Sequence, residues 1–181
     1  GLLSGYQPGI SIASLDIDAS GVAIDGAGGV LGSVGPDNLT TQGGYVLATS
    51  GSMQFDTADL ATMESNNTLL ALILHEMAHV MGFGTLWSLN NVYTDGSGEY
   101  TGANALAAYR VEFSQLTALF VPVELGGGAG TANGHWNEVN NGVCCTGIIS
   151  AQGDMTYELM TGWRNANSFS SNTTIYSFTD I

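Results

Sequence analysis

Two histidines one helical turn apart, with a glutamate directly after the first, stand in "HEMAHVMGFGTLW" (75–87). On a helix, His75 and His79 at i and i+4 share one face, so both imidazoles reach a single ion. Glu76 is rotated from His75 by about 100°, which removes it from the ligand set and directs it at a water beside the ion. Neutral imidazole binds zinc, zinc polarises carbonyls and acidifies water, and a carboxylate shuttles protons near neutral pH. With three His in 181 residues, chance produces this pattern roughly 0.002 times. A catalytic zinc takes three protein ligands and keeps its fourth position for water. The helix supplies two, and the chain holds one more histidine, His135 in "NGHWNE". Cys144, Cys145 and Glu138 are the other candidates for the third place. Thr85 is not a substitute.

The elements that must position these residues read as an α+β chain. Ile10 to Asp18 and Val22 to Asp25 are β-rich, 26–37 is a glycine-heavy loop, and Tyr45 to Phe55 is one strand, or two with a Ser-Gly-Ser turn. A short helix follows, capped by Asp56 or Thr57. Asn67 or Thr68 caps the longer helix that carries the histidines through Val80, and Gly82 stops it. Asn90 to Gly102 is a polar loop, and Ala103 to Leu119 reads as a helix. Residues 126–134 form a second glycine-rich loop, with little regular structure after it until a final helix near Ser177.

Composition bounds the function. Formal charge is −14, the cations are Arg110 and Arg164, and there is no lysine. Such a surface does not bind nucleic acid or anionic membrane by counterion release. The longest aliphatic run, LLALIL (69–74), is far short of the roughly 20 residues of a membrane span. The surface suits a secreted or cell-surface protein, and an opening on Gly1 rather than Met reads as a processed piece. Cys144 and Cys145 are adjacent. Two free thiols, a strained vicinal disulfide and bridges to another segment all stay open for them. Asp95-Gly-Ser-Gly-Glu99 reads first as a solvated acidic turn and second as a Ca2+ site.

The spelling His75-Glu-x-x-His79-x-x-Gly82 resembles the metzincin metalloproteases, in most of which a third His follows the glycine by three residues. Here that position is Thr85. A long insertion before the third His is a mark of the leishmanolysin-like zinc metallopeptidases, and "GSMQFDTADL" (51–60), "TGANALAAYR" (101–110), "GHWNE" (134–138) and "ELMTGW" (158–163) resemble segments of the bacterial type. The resemblance implies a metzincin catalytic domain over 1–181: a twisted sheet and active-site helix over an irregular C-terminal subdomain, with the zinc cleft between about 1–84 and 85–181. It assigns zinc to His75, His79 and His135, general base and acid to Glu76, and the hydrophobic Met-turn beneath the metal to Met160. It makes the strand at Tyr45 to Phe55 the sheet edge that pairs with an extended peptide. Trp136 is a cleft wall or a core residue. The N-terminal strand and helix of relatives are missing, which points to another fragment of the precursor or an assembly partner covering that part of the core.

These readings converge on a secreted zinc endopeptidase acting on a protein or peptide substrate. The rival is a non-catalytic surface or matrix protein that uses the same zinc-bound scaffold structurally. Glu76 separates the two, since a structural zinc site closes its fourth position and has no use for a base.

Overall fold

A computed structural model describes residues 14–138, 155–164 and 167–181. It is a mixed α+β structure whose chain divides into two compact units, one ending at Thr85 and one running from Leu86 to Ile181. Among the described residues no helix is long and apolar enough to cross a membrane.

In the first unit, β1 (Asp16–Val22), β2 (Gly32–Gln42) and β3 (Tyr45–Asp56) form a sheet in the order β1-β3-β2. β1 runs parallel to β3, and β2 runs antiparallel to it. The two-residue turn Gly43-Gly44 joins β2 to β3. Both glycines have positive φ, 58° and 90°, as the hairpin turns that match strand twist require. The glycine-rich stretch read as a loop over 26–37 therefore becomes strand from Gly32 onward. Pro36, which cannot donate to a ladder, sits beside a register shift on β2, an outer strand where its missing N–H is tolerated. The expectation that Tyr45 to Phe55 is the sheet edge is wrong. β3 is one continuous strand hydrogen-bonded on both sides, and among the described residues the outer strands are β1 and β2.

Two helices cover this sheet. α1 (Thr57–Ser65) is capped by Asp56, whose carboxylate accepts from Ala58 N at 2.9 Å. The same carboxylate accepts from Asp25 N at 2.9 Å and Gly26 N at 3.0 Å, so it also ties down the loop between β1 and β2. Those backbone donors, Ala58 first, hold the Asp56 carboxyl below its usual range. α2 (Leu69–Val80) begins after Thr68, as anticipated, but Thr68 makes no cap bond and its hydroxyl donates to Met63 O. Leu72 and Val80 of α2 pack with Met63, Met53 and Phe55. Period-two alternation puts Gly51 on the face of Met53 and Phe55. A Cβ at Gly51 would lie 2.4 Å from Val80 Cγ1 and 2.7 Å from Gly35 O. The helix thus approaches the sheet as closely as it does because residue 51 has no side chain.

The second unit is built on short pairings. β4 (Glu99–Tyr100) pairs antiparallel with β5 (Val121–Pro122). Val123 bridges to Trp136, and Trp136 to Thr161. Trp87, Tyr100 and Trp136 fill the space behind these strands with no exposed surface, the two indoles stacked at 4.9 Å. α3 (Ala103–Glu112) ends well short of Leu119, where Phe113 caps it and Ser114 turns with φ 56°. α4 (Asn172–Ser177) is the short final helix. The two helices cap each other. Asp180 accepts from Asn104 N and Ala105 N at the start of α3, and Glu112 accepts from Asn172 N and Thr173 N at the start of α4. Carboxylates are favoured at both helix starts, and the reciprocal arrangement makes the pair antiparallel.

Gly51→Ala should lower the free energy of unfolding by about 2 kcal/mol, the usual cost of overpacking, seen as a lower urea midpoint at unchanged slope. An unchanged midpoint would mean that α2 does not depend on close approach at Gly51.

Candidate metal centre

The end of α2 builds the first half of the site. Gly82 takes φ 117°, a conformation that costs glycine little. There Gly82 N donates to His79 O at 3.2 Å and Phe83 N to Ala78 O at 2.9 Å, the paired bonds that close a helix on a left-handed residue. This reversal carries the Phe83 carbonyl back to the His79 ring, 2.8 Å from Nδ1. A carbonyl only accepts, so Nδ1 holds the proton and Nε2 presents its lone pair. His75 and His79 bring their Nε2 atoms to 3.1 Å, with the rings edge to face. Thr85 is accounted for as well: its hydroxyl donates to His79 O at 2.6 Å, a cap on a terminal helix carbonyl.

His135 is prepared the same way from a different local structure. Its Nδ1 lies 2.9 Å from Thr131 O, which again leaves Nε2 as the ligand atom. The turn before it depends on Asn133, which has φ 67°. Asn133 N donates to Glu124 O, and its side-chain oxygen accepts from Tyr93 O–H at 2.6 Å and Gly96 N at 2.9 Å. His135 O accepts from Glu124 N, and Trp136 N donates to Met160 O at 3.0 Å, so the ligand segment lies between two partners.

The ligand atoms of His75, His79 and His135 all lie within 4.8 Å of one another, the one such group of three among the described residues. The donor set fits a metal ion. Zinc–imidazole distances near 2.0–2.1 Å place two tetrahedral ligands about 3.3 Å apart, close to the separation of His75 and His79. Three neutral imidazoles accommodate several first-row ions, so the geometry identifies a metal site and not which metal.

Glu76 is 8% exposed, and burial pushes its carboxyl up to about 7. It packs against the start of β2, where a Cβ at Gly32 would lie 3.2 Å from Glu76 Oε1. Met160 is fully buried. Its turn is fixed by Glu158, 1% exposed, which accepts from Met160 N through one oxygen and from Ser171 N, Ser171 Oγ and Thr174 Oγ1 through the other. Trp136 has no exposed surface and donates from Nε1 to Thr174 Oγ1, which makes it core and not a cleft wall. Asp95 accepts from Ser88 Oγ, and neither it nor Glu99 belongs to a metal-ligand group among the described residues, so the Ca2+ expectation finds no support there. Cys144 and Cys145 lie outside the described residues.

Sequence reasoning passed over Glu158 and Asn133. "ELMTG" places a carboxylate two residues before Met160, within reach of that residue's own backbone. Asn133-Gly134 is a dipeptide that favours left-handed turns. The chain matches no protein-family model and no curated protein.

His135→Ala should weaken metal binding at least tenfold, since it deletes one of three ligands, while Thr85→Ala should keep the metal and lose about 1 kcal/mol of stability with its hydrogen bond. Metal titration of the purified variants checks both. Loss of metal from Thr85→Ala with retention in His135→Ala would overturn the assignment.

Proposed function

We propose that this chain is a zinc-dependent endopeptidase of metzincin type, akin to the leishmanolysin-like enzymes, that acts outside the cell or at its surface. One observation carries the reading: three imidazoles converge, and a buried carboxylate sits on the same helix as two of them. A metal held only for structure has no use for that carboxylate. The HExxHxxG spelling, the buried Met160 and the acidic composition support the same reading.

Zinc held by His75, His79 and His135 supplies Lewis acidity, polarising a substrate carbonyl and lowering the pKa of water to about 7. The remaining chemistry belongs to Glu76. One carboxylate oxygen takes a proton from water as the water oxygen bonds to the carbonyl carbon. The same carboxyl delivers that proton to the amide nitrogen as the C–N bond breaks, leaving an acid and an amine. β2 starts beside Glu76 and is an outer strand among the described residues, so its edge is the one suited to the backbone of an extended peptide.

Glu76→Gln should keep its metal and cleave casein about a hundredfold or more slowly, the usual contribution of a general base. A chelator should abolish cleavage by the parent, and added zinc should restore it. A Glu76→Gln variant with more than a tenth of the parent rate would sink the mechanism.

A further inference from the structure

We propose that Gly32 is a positioning residue for Glu76, and that the absence of a side chain at 32 sets where the carboxylate sits. This rests on the enzyme reading above. A Cβ at residue 32 would meet three atoms: Gln54 O at 3.1 Å, Glu76 Oε1 at 3.2 Å and Glu76 Cδ at 3.4 Å. Contacts this short require something to move. Gln54 O belongs to β3, which is held in register on both sides, with Gly32 opposite Phe55 and Ser33 opposite Gln54. The carboxylate is the end of a side chain with free torsions. The carboxylate therefore yields at its own contact, while the contact with Gln54 O falls on a held strand and is the same whatever residue 76 is.

Residue 32 is itself held firmly. Asp56 N donates to Leu31 O at 3.0 Å, next to Gly32. The Asp56 side chain grips Asp25 N and Gly26 N, and Gly28 N donates to Asp59 Oδ1 at 2.9 Å. The loop leading into β2 is thus pinned to the end of β3 and the start of α1. The backbone at Gly32 forms a fixed wall, with Glu76 resting on it. A proton carrier must stay within hydrogen-bond reach of its water, so displacement by a few tenths of an ångström acts on the rate of chemistry more than on substrate binding.

The experiment is a double-mutant cycle between positions 32 and 76, read in two ways. With casein-derived peptide as substrate, Gly32→Ala should lower kcat about tenfold and leave KM within about twofold, metal content being unchanged. Glu76→Asp draws the carboxylate back by one methylene, and in that background Gly32→Ala should cost no more than about twofold further, because the contact has gone. The second readout needs no turnover. In metal-free protein Gly32→Ala should lower Tm by a few degrees, and by less when residue 76 is alanine, the remainder belonging to the contact with Gln54 O. Equal effects of Gly32→Ala in both backgrounds, on rate and on Tm, would overturn the positioning role while leaving the peptidase reading intact. A parent chain with no chelator-sensitive cleavage would instead sink the peptidase reading and Gly32's part in catalysis with it, whatever the Tm cycle shows.

Discussion

A backbone carbonyl can accept a hydrogen bond but cannot give one. Phe83 O and Thr131 O stand at 2.8 and 2.9 Å from Nδ1 of His79 and His135, and each fixes where its imidazole carries a proton. Both Nε2 lone pairs are then committed to the same small volume, along with the Nε2 of His75 that meets His79 at 3.1 Å. The rest of the structure serves this constraint. Gly82 reverses the chain so that the Phe83 carbonyl reaches back to His79. The bonds of Asn133 to Tyr93, Gly96 and Glu124 shape the turn that sets Thr131 O against His135. Gly51 lets α2 lie against the sheet that fixes its position.

A chain with two arginines and no lysine must answer its buried and half-buried carboxylates by other means. Asp56 takes backbone N–H groups from Asp25, Gly26 and Ala58. Asp180 takes those of Asn104 and Ala105. Glu158 takes two backbone N–H groups and two hydroxyls. Each carboxylate joins segments distant in sequence, doing the work that salt bridges do elsewhere, and peptide donors are fixed in place in a way that long cationic side chains are not. At Glu158 burial still outweighs the donors and pushes the carboxyl up. Glu76 differs from these groups in kind: burial alone shifts it, with no opposing donor.

The histidine helix was legible because its signals are local. Spacing at i and i+4 depends on nothing beyond the helix, and Gly82 ends it through its own conformational freedom. The position of Asp56 as a cap was legible for the same reason. What stayed hidden is non-local or rests on glycine. β2 was masked by its Gly, Pro and Asn content, although Gly43-Gly44 marked the hairpin, and the edge expected of β3 came from the family resemblance and not from its own residues. Ala103 to Leu119 kept a helical pattern past the point where Ser114 turns the chain. Trp136 gave no sign of its surroundings, because stacking on Trp87 and contact with Tyr100 join residues far apart in sequence. His135 was found by counting histidines. The bonds that prepare it, from Thr131 and Asn133, come from backbone geometry that residue types alone do not display.

X-ray absorption at the zinc edge of the purified protein, reconstituted with one equivalent of zinc, tests the central claim most directly. Three imidazoles and an open position predict a first shell of nitrogen and oxygen only, four-coordinate, at about 2.0–2.1 Å, with the outer-shell scattering of three imidazole rings. A sulfur shell at about 2.3 Å, or scattering from two rings only, would contradict it and transfer the third place from His135 to another residue.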